Sequence, residues 1–571
     1  RDFVACGAAA GVAAAFGAPV GGVLFSLEEG ASFWSTRLTW RCFFCAMVTV
    51  TTLFVVRTVN IHLGQANVNA MFSFGQFYKL QGSVYNFSVF ELPVFCLIGG
   101  LGGLLGAAFN EANKRLHSHR MRTYISNTCA RYREVLMVSL LMSCVCFWVP
   151  VLVPSCTPRP FDMEEWSDQE KTLAGRLVPL YCDPTQEYDQ LGSLFLTDSD
   201  TAIKQLFHFR ELGDNAEPTF SSTSLLLFYT LYMMVTCLTY GTAVPSGLFV
   251  PSLLPGAAFG RLVGHLLHAL DNRRGTFADS GTFALVGAAA GLGGMARMTI
   301  SLTVILLEAT GDIQYIVPLM LTVMFARWIG NIYNDGLYDI HIRLKHVPFL
   351  EESEDTDMHV ELTVEDIMTR NPVCFPCIAS VGDVYDVLVE CKHGCFPVVD
   401  DCDGAPNGVL IGTVARKVLC TLILHKAFGY SDEKPDASAG PASPLVNWGT
   451  LESSYPNYPD TKSISVTPLE RGAWLDLRPY MERGPHVLYT STSVQRAYKI
   501  FRTLGLRHLF VINNANQVKG IITRSELLPE NIRKQSHYPL YSENSSRCFG
   551  KVTRKKSDNT ITLDGLHIDH L

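Results

Sequence analysis

The sequence is poor in charge and rich in apolar residues. Only 17% of its 571 residues are charged, whereas 48% are hydrophobic, and the mean hydropathy is +0.18. This balance is unusual for a soluble protein and indicates membrane segments. Long apolar runs are absent after about Leu350, where ordinary soluble patterning begins. We therefore predict a membrane domain at residues 1–345, followed by a soluble part.

The cysteines lack the spacing of a metal site. The C-x-x-C pairs at 42–45 and 374–377 have no second pair at zinc spacing, which argues against a zinc site or a disulfide scaffold. Cys156 and Cys182 share one polar loop. They would pair if that loop faces an oxidising lumen and would stay as two thiols otherwise.

The apolar segments predict membrane spans. A shorter apolar piece, 252–267, is consistent with a half-spanning helix. The predicted spans are 38–56, 92–109, 135–153, 224–240, 283–307 and 313–332.

Clustered charge gives the orientation. The segment 114–122 is strongly basic, continues to Arg131 and Arg133, and is interpreted as a cytosolic loop. One span later, the long acidic loop 155–217 should face the lumen or exterior. Asn86 begins a glycosylation sequon.

The chain nearly repeats itself about 280 residues apart. With Gly7 placed on Gly287, Glu28 falls on Glu308 without a gap, but Glu29 falls on Ala309. Repeated membrane halves are typical of transporters whose site lies where the halves meet. The unmatched Glu29 is therefore a candidate for chemistry, and the repeated Glu28 for architecture. The alternative is chance similarity between two Gly/Ala-rich stretches.

A dense Gly/Pro cluster at 245–251 interrupts a helix inside the membrane domain. A helix that restarts there would aim free amides at the membrane midplane, which makes an anion site without a cationic side chain. The candidate ligands are the amides of Leu248 and Phe249 beside Gly247, with the hydroxyl of Ser246. The alternative is a proline kink without a ligand.

These motifs resemble the CLC chloride channel/transporter family. Residues 247–251 resemble its GxFxP anion motif, and 17–29 resemble the stretch that leads to its internal proton glutamate. Residues 25–34 resemble the endosomal–lysosomal branch. The resemblance implies an all-α inverted-repeat membrane fold, a homodimer, proton transfer by Glu29 and a chloride contact by Tyr338.

Two elements of that family are not found in these residues. One is the motif whose serine lines the chloride site, and the other contains the external gating glutamate. We expect both to precede residue 1, because the chain begins at Arg1 without a methionine, signal peptide or targeting motif. The alternatives are a fragmentary sequence and a truncated regulatory subunit.

The soluble part contains two copies of one small unit with a helix, a β-rich centre and a closing helix. It resembles a pair of CBS domains, an α/β fold, and the predicted copies are 360–426 and 474–530. Between them, the Pro/Ser/Gly-rich linker 427–465 is predicted to be mobile. A tail follows at 531–571.

The resemblance to CBS pairs implies a cleft for ATP or ADP. The corresponding residues are Thr523 and, three positions later, Glu526. Glutamate keeps the carboxylate that would bind ribose hydroxyls. The alternative is a purely structural dimer interface.

These observations predict a chloride/proton antiporter of a late endosomal or lysosomal membrane, with the CBS pair in the cytosol. Its predicted partners are chloride, protons, the bilayer, a second copy and an accessory membrane subunit, with no nucleic acid. No enzymatic activity, required cofactor or metal is predicted. The alternatives are a passive voltage-gated chloride channel and a non-transporting, nucleotide-sensing membrane subunit.

Overall fold

The computed structural model divides the chain into two compact units, Arg1–Leu344 and Lys345–Tyr541. Asn86, which begins the sequon in the sequence, lies outside the described residues. The described residues are 2–31, 34–62, 87–124, 128–159, 168–183, 186–209, 219–270, 278–345, 347, 350, 362–400, 408–430, 446–453, 458–461, 464–528 and 531–532.

The described part of the first unit is helical apart from one two-stranded antiparallel sheet. Among its described helices, five candidates are long and apolar enough to cross a membrane, which confirms a membrane-spanning unit. The helices are α1 Asp2–Phe16, α2 Pro19–Phe25, α3 Thr36–His62, α4 Leu92–Tyr124, α5 Thr128–Leu152, α6 Asp168–Gly175, α7 Gln190–Phe195, α8 Ser199–His208, α9 Ser222–Thr239, α10 Phe249–Leu270, α11 Ser280–Ala296, α12 Ile300–Thr310, α13 Ile316–Tyr333 and α14 Leu337–Leu344.

Three sequence predictions about these helices were wrong. The basic segment 114–122 is not a loop, because α4 continues through it to Tyr124. The span 283–307 is two helices, since α11 ends before Arg297, which adopts a left-handed conformation. The piece 252–267 belongs to the 22-residue α10, which tolerates Pro255 in its interior.

The internal repeat is real in three dimensions. At an offset of 280 residues, α1 ends on the same position as α11, and α2 begins within one residue of α12. The residue between the helices also matches, because Gly17 has φ +64° and Arg297 has φ +65°. Chance similarity of composition would not reproduce this backbone turn, so the two segments are structural counterparts.

Each repeat caps a helix of the other. The carboxylate of Glu28 accepts hydrogen bonds from the amides of Thr299 (2.8 Å) and Ser301 (3.0 Å) and from both their hydroxyls, at the start of α12. The carboxylate of Glu308 accepts from the amides of Val20 (3.2 Å) and Gly21 (2.8 Å), at the start of α2. Amides in a helix's first turn have no intrahelical acceptor, so these carboxylates satisfy them. The expected structural role of the repeated glutamates is therefore confirmed.

The core of the first unit is centred on α11, which is buried along nearly its whole length. Glycine lets α10 approach it closely: a Cβ on Gly287 would lie 2.4 Å from the Cα of Gly260 and 2.5 Å from the carbonyl oxygen of Gly256. The counterpart of Gly287 in the first repeat is Gly7. No described atom lies within 4 Å of the position of its Cβ. The same glycine pattern is thus tightly packed in one repeat and open in the other.

A disulfide joins Cys156 to Cys182 beyond the end of α5, with the two Cα atoms 5.7 Å apart. Cys156 belongs to β1 (Cys156–Pro158), which pairs in antiparallel fashion with β2 (Glu187–Asp189). Of the two alternatives for these cysteines, the structure supports the pairing.

Removing this disulfide should destabilise the segment that it closes, which contains β1 and β2. Closing a loop of 26 residues is worth about 3 kcal/mol by the chain-entropy estimate. We expect Cys156→Ser to lower the midpoint of thermal unfolding in detergent, whereas Cys144→Ser, at an exposed cysteine outside the disulfide, should leave it unchanged. Equal midpoints for the two variants would show that the bond adds no stability.

The described part of the second unit contains two four-stranded sheets and one two-stranded sheet. Its helices are α15 Val364–Ile367, α16 Val381–Glu390, α17 Arg416–Leu424, α18 Trp448–Ser453 and α19 Val494–Thr503. Its strands are β3 Thr369–Arg370, β4 Phe375–Pro376, β5 Ile378–Ser380, β6 Cys395–Asp400, β7 Val409–Ala415, β8 Trp474–Asp476, β9 Glu482–Arg483, β10 Val487–Tyr489, β11 His508–Ile512 and β12 Val518–Thr523.

The two copies of the second unit exchange short strands. The four-stranded sheets have the orders β10–β11–β12–β3 and β4–β6–β7–β9, and the two-stranded sheet is β5–β8. Strand β3, near the start of the first copy, pairs with β12, and β9, near the start of the second copy, pairs with β7. Each sheet is therefore completed by the other copy, which confirms a CBS-like α/β pair rather than two independent modules.

The part of the predicted linker that the structure describes contains packed residues, and its mobility stays a prediction. Val446, Leu451 and Ile464 are buried in the core of the first copy. The amide of Val446 also donates to the hydroxyl of Tyr480 at 2.9 Å. These apolar side chains are sparse in a polar sequence, so composition alone understates their packing.

Candidate functional site

The Gly/Pro cluster breaks the chain between two helices, as the sequence predicts. Helix α9 ends at Thr239, and α10 begins at Phe249. Among the described residues, no acceptor is found for the amide of Leu248 or Phe249, and α10 directs both out of its start. The positive end of a helix with free amides can bind an anion.

The two ends of this segment differ in burial. Ser246 and Gly247 are exposed, whereas Leu248 is buried in a hydrophobic cluster that also contains Leu337, the first residue of α14. The ring of Phe249 packs on the ring of Phe16 at the end of α1, with centroids 4.4 Å apart. Phe249 also packs against a cluster that contains Phe16 and Ile305, one residue from each repeat, so both repeats meet at the start of α10.

Tyr338 is half-buried in the first turn of α14 and packs against the main core of the unit. It lies within electrostatic range of Tyr240, at the end of α9, and of Glu29. Tyr338 directly follows Leu337, which belongs to the same buried cluster as Leu248. The structure thus brings the predicted chloride contacts and the predicted proton carrier into one neighbourhood.

Glu29 lies in a π-helical turn, Ser26–Gly30, and its side chain is exposed. The charged groups that act on it are Glu28, Asp339 and Arg327. Glu28 is held by the start of α12, so its neighbour Glu29 projects from a fixed backbone. An exposed carboxylate on a rigid turn can take a proton from water and release it toward the interior.

Sequence reasoning missed several residues around this site. Arg327 lies 4.0 Å from the carboxylate of Glu28 and donates to the hydroxyl of Thr299 at 3.3 Å. Asn113 and His341 form a buried hydrogen bond of 2.9 Å behind the end of α9. A helical reading of 114–122 would have placed Asn113 and His117 on one face, four residues apart.

In the second unit, Thr523 and Glu526 are adjacent at the end of β12. The carboxylate of Glu526 accepts from the amide of Thr523 (2.6 Å) and from the hydroxyls of Thr523, Ser525 (2.9 Å) and Thr369 (3.3 Å). Burial acts to raise the pKa of Glu526, but these donors outweigh it and lower the pKa below its usual range. The pair therefore makes one half of a capping box, in which the carboxylate bonds back to the amide three residues earlier and closes a turn.

Comparison with known proteins decides the family. The profile described as "Voltage gated chloride channel" matches residues 1–331, and the CBS domain profile matches 364–424 and 476–531. The chain is 33% identical to "Chloride channel protein CLC-d" of Arabidopsis thaliana, over 98% of this chain and 70% of that protein. The chain belongs to the voltage-gated chloride channel family.

Two further comparisons place the chain within this family. It is 38% identical to "H(+)/Cl(-) exchange transporter 7" of Mus musculus, over 92% of this chain, and it spans 62% of that relative's length. The solved structure "Crystal Structure of a eukaryotic CLC transporter" matches with a TM-score of 0.55 at 21% identity, and covers 92% of this chain and 70% of that one. This confirms the predicted fold.

Proposed function

We propose that this protein exchanges chloride for protons across an intracellular membrane. The observation that carries the proposal is the meeting of three features: the free amides at the start of α10, Tyr338 on α14, and Glu29 on its exposed turn. The first two offer donors to an anion, and the third offers a proton carrier. Family relatives whose names describe H(+)/Cl(-) exchange support the same assignment.

Glu29 favours an exchanger over a passive channel. A channel needs a path for the anion but no titratable group, whereas exchange requires a group that binds and releases protons during the cycle. Glu29 has no acidic counterpart in the second repeat, where Ala309 stands. Because Ala309 occupies the equivalent position in the second repeat, the fold does not require an acid there.

The proposed orientation places the second unit in the cytosol. Asn113, near the basic end of α4, contacts His341 in the last turns of α14, so the chain leaves the first unit on its basic side. By the positive-inside rule that side is cytosolic. The disulfide-bonded segment with β1 and β2 follows α5 and would lie on the opposite, oxidising side. A late endosomal or lysosomal membrane, a homodimer and an accessory subunit stay predictions.

The test is paired flux in reconstituted vesicles, using the protein with any native sequence that precedes Arg1. We expect an outward chloride gradient to drive proton uptake when the membrane potential is clamped. Glu29→Ala should retain chloride flux and lose proton movement, because alanine cannot bind a proton. Chloride release is read with an electrode and proton movement with a trapped pH-sensitive dye.

The matched control is Glu111→Ala. Glu111 is an acid in the same unit, paired only with the exposed Arg115 among its described contacts. It should leave both fluxes unchanged. Unaltered proton coupling in Glu29→Ala would exclude this residue as the carrier, and chloride release no faster than from protein-free vesicles would refute the proposed function.

We also propose that the second unit binds ATP or ADP beside Thr523 and Glu526. Because Glu526 also caps a turn, Glu526→Ala should have two effects. It should lower the stability of the nucleotide-free protein by roughly 1–3 kcal/mol and weaken nucleotide binding by a similar amount. Its lowered pKa means that the stabilisation is present above the ordinary glutamate pKa and is lost as the pH falls below it.

Calorimetry with the intact protein separates these effects. Thr369→Val removes one donor to Glu526 and keeps the carboxylate, so it serves as the control. We expect ADP to bind to the wild type and to Thr369→Val, and to bind more weakly to Glu526→Ala. Absence of heat with ATP, ADP and AMP at millimolar concentration would leave the capping role and contradict the nucleotide proposal.

A further inference from the structure

A cluster of polar side chains binds the end of α9, just before the segment 241–249 that provides the free amides. It consists of Asn113, His117 and Arg120 from α4, and of His341 from α14, and we call it the α9 clamp. All four side chains are buried. Asn113, His117 and Arg120 lie on one face of α4, because they are spaced by about one helical turn and then by nearly another.

The clamp binds the carbonyl groups that end α9. The Asn113 side-chain amide donates to the carbonyls of Cys237 (3.0 Å) and Tyr240 (3.1 Å). Arg120 donates to the carbonyls of Tyr240 (2.9 Å) and Leu238. The last carbonyls of a helix have no intrahelical donor, so these side chains fix the point where α9 stops.

The same asparagine also binds α14. Since both hydrogens of its nitrogen face the carbonyls of α9, its Oδ1 is the acceptor and His341 Nε2 is the donor, at 2.9 Å. The ring of His341 also lies edge-on to the ring of Tyr240, with centroids 5.1 Å apart. One buried amide therefore links three helices, α4, α9 and α14.

Glycine is required where the chain leaves the clamp. Gly241 has φ +86°, and a Cβ there would lie 2.9 Å from Nδ1 of His117. The rings of His117 and His341 are packed with centroids 4.6 Å apart. The path of the chain out of α9 is thus set by close contact with both histidines.

The clamp lies at the junction of the two parts of the proposed anion site. The chain runs from Gly241 directly into the segment that provides the free amides, and His341 lies one turn after Tyr338 on α14. We infer that Asn113 and His341 are positioning residues that hold the amides of Leu248 and Phe249 in register with the hydroxyl of Tyr338. This inference rests on the proposed function, because it concerns the geometry of the same site.

Positioning predicts a change in anion affinity, which a merely structural bond would not produce. His341→Leu removes the donor to Asn113, and His341→Gln retains a side-chain N–H that can replace it. We expect the KM for chloride to rise at least three-fold in His341→Leu, with looser chloride-to-proton stoichiometry. We expect both values to stay within two-fold of the wild type in His341→Gln.

The control is a buried hydrogen bond elsewhere in the same unit. Tyr315→Phe removes the bond of 3.2 Å between the hydroxyls of Tyr315 and Thr282. Tyr315 lies at the opposite end of α13 from α14, roughly 27 Å away along a helix of 18 residues. It should lower the unfolding temperature without altering the KM for chloride.

A second, uncharged variant keeps the test decisive if His341→Leu does not fold. Asn113→Ser keeps a small polar side chain but is too short to bond His341 and both carbonyls of α9, so the KM for chloride should again rise. An unchanged KM and stoichiometry in Asn113→Ser or a folded His341→Leu would overturn the inference, as would an equal rise in Tyr315→Phe. If the wild type moves chloride, only the inference falls; if it moves none, the proposed function falls with it.

Discussion

Replacing Gly287 with alanine should prevent the first unit from folding stably, whereas the same change at its repeat counterpart Gly7 should be harmless. A Cβ on Gly287 would lie 2.4 Å from a backbone atom of α10, and backbone atoms cannot rotate away as a side chain can. Overpacking of a well-filled core costs about 1–3 kcal/mol even where side chains can adjust. We expect a loss at the upper end of that range or beyond it.

Gly7→Ala is the matched control for this prediction. It lies at the equivalent position of α1, and no described atom lies within 4 Å of the position of its Cβ. Alanine favours a helix interior over glycine by roughly 1 kcal/mol, so this variant should be as stable as the wild type or slightly more so. Thermal unfolding in detergent measures both, and comparable losses would show that the Gly7 face is packed.

Replacing Glu28 with alanine should cost about 2–4 kcal/mol of stability, the second-largest effect we expect. Its carboxylate satisfies two amides and two hydroxyls at the start of α12. Removing it leaves those donors without their acceptor, in a place where little water can replace it. Glu28→Gln keeps one acceptor oxygen and should lose about half as much.

Glu111→Ala is again the control, because its exposed ion pair with Arg115 should contribute less than about 1 kcal/mol. The same thermal measurement applies. If Glu28→Ala unfolds at the same temperature as Glu111→Ala, the cap on α12 is not a stabilising element. If Glu28→Ala loses transport but keeps normal stability, Glu28 takes part in transport and does not merely stabilise the fold.

Local signals in the sequence predicted much of this fold. The register of the repeat depends on adjacent letters, and the break before Phe249 depends on a dense Gly/Pro cluster, so both could be found without a structure. The structural role of Glu28 followed from its duplication at Glu308. Its partners Thr299 and Ser301 did not, because they lie some 270 residues away and carry no distinctive pattern.

The α9 clamp was missed for a different physical reason. Positive charge near Asn113 suggested a loop, and the same residues continue a helix whose one face is buried. Charge composition reports which side of the membrane a segment faces, but it does not report whether the segment is helical. The packed parts of the linker were missed likewise, since three buried side chains such as Leu451 are outweighed by polar neighbours in any compositional average.

The reciprocal caps also mean that α2 is synthesised well before the residue that caps it. The amide of Gly21 is capped by a residue 287 positions later, so at about 5–20 residues per second its acceptor leaves the ribosome roughly 15–60 seconds afterwards. Helix α2 has only seven residues and is too short to be stable alone. Until then the first-turn amides of α2 lack this carboxylate acceptor. A chain that stops before Glu308 would leave them without it.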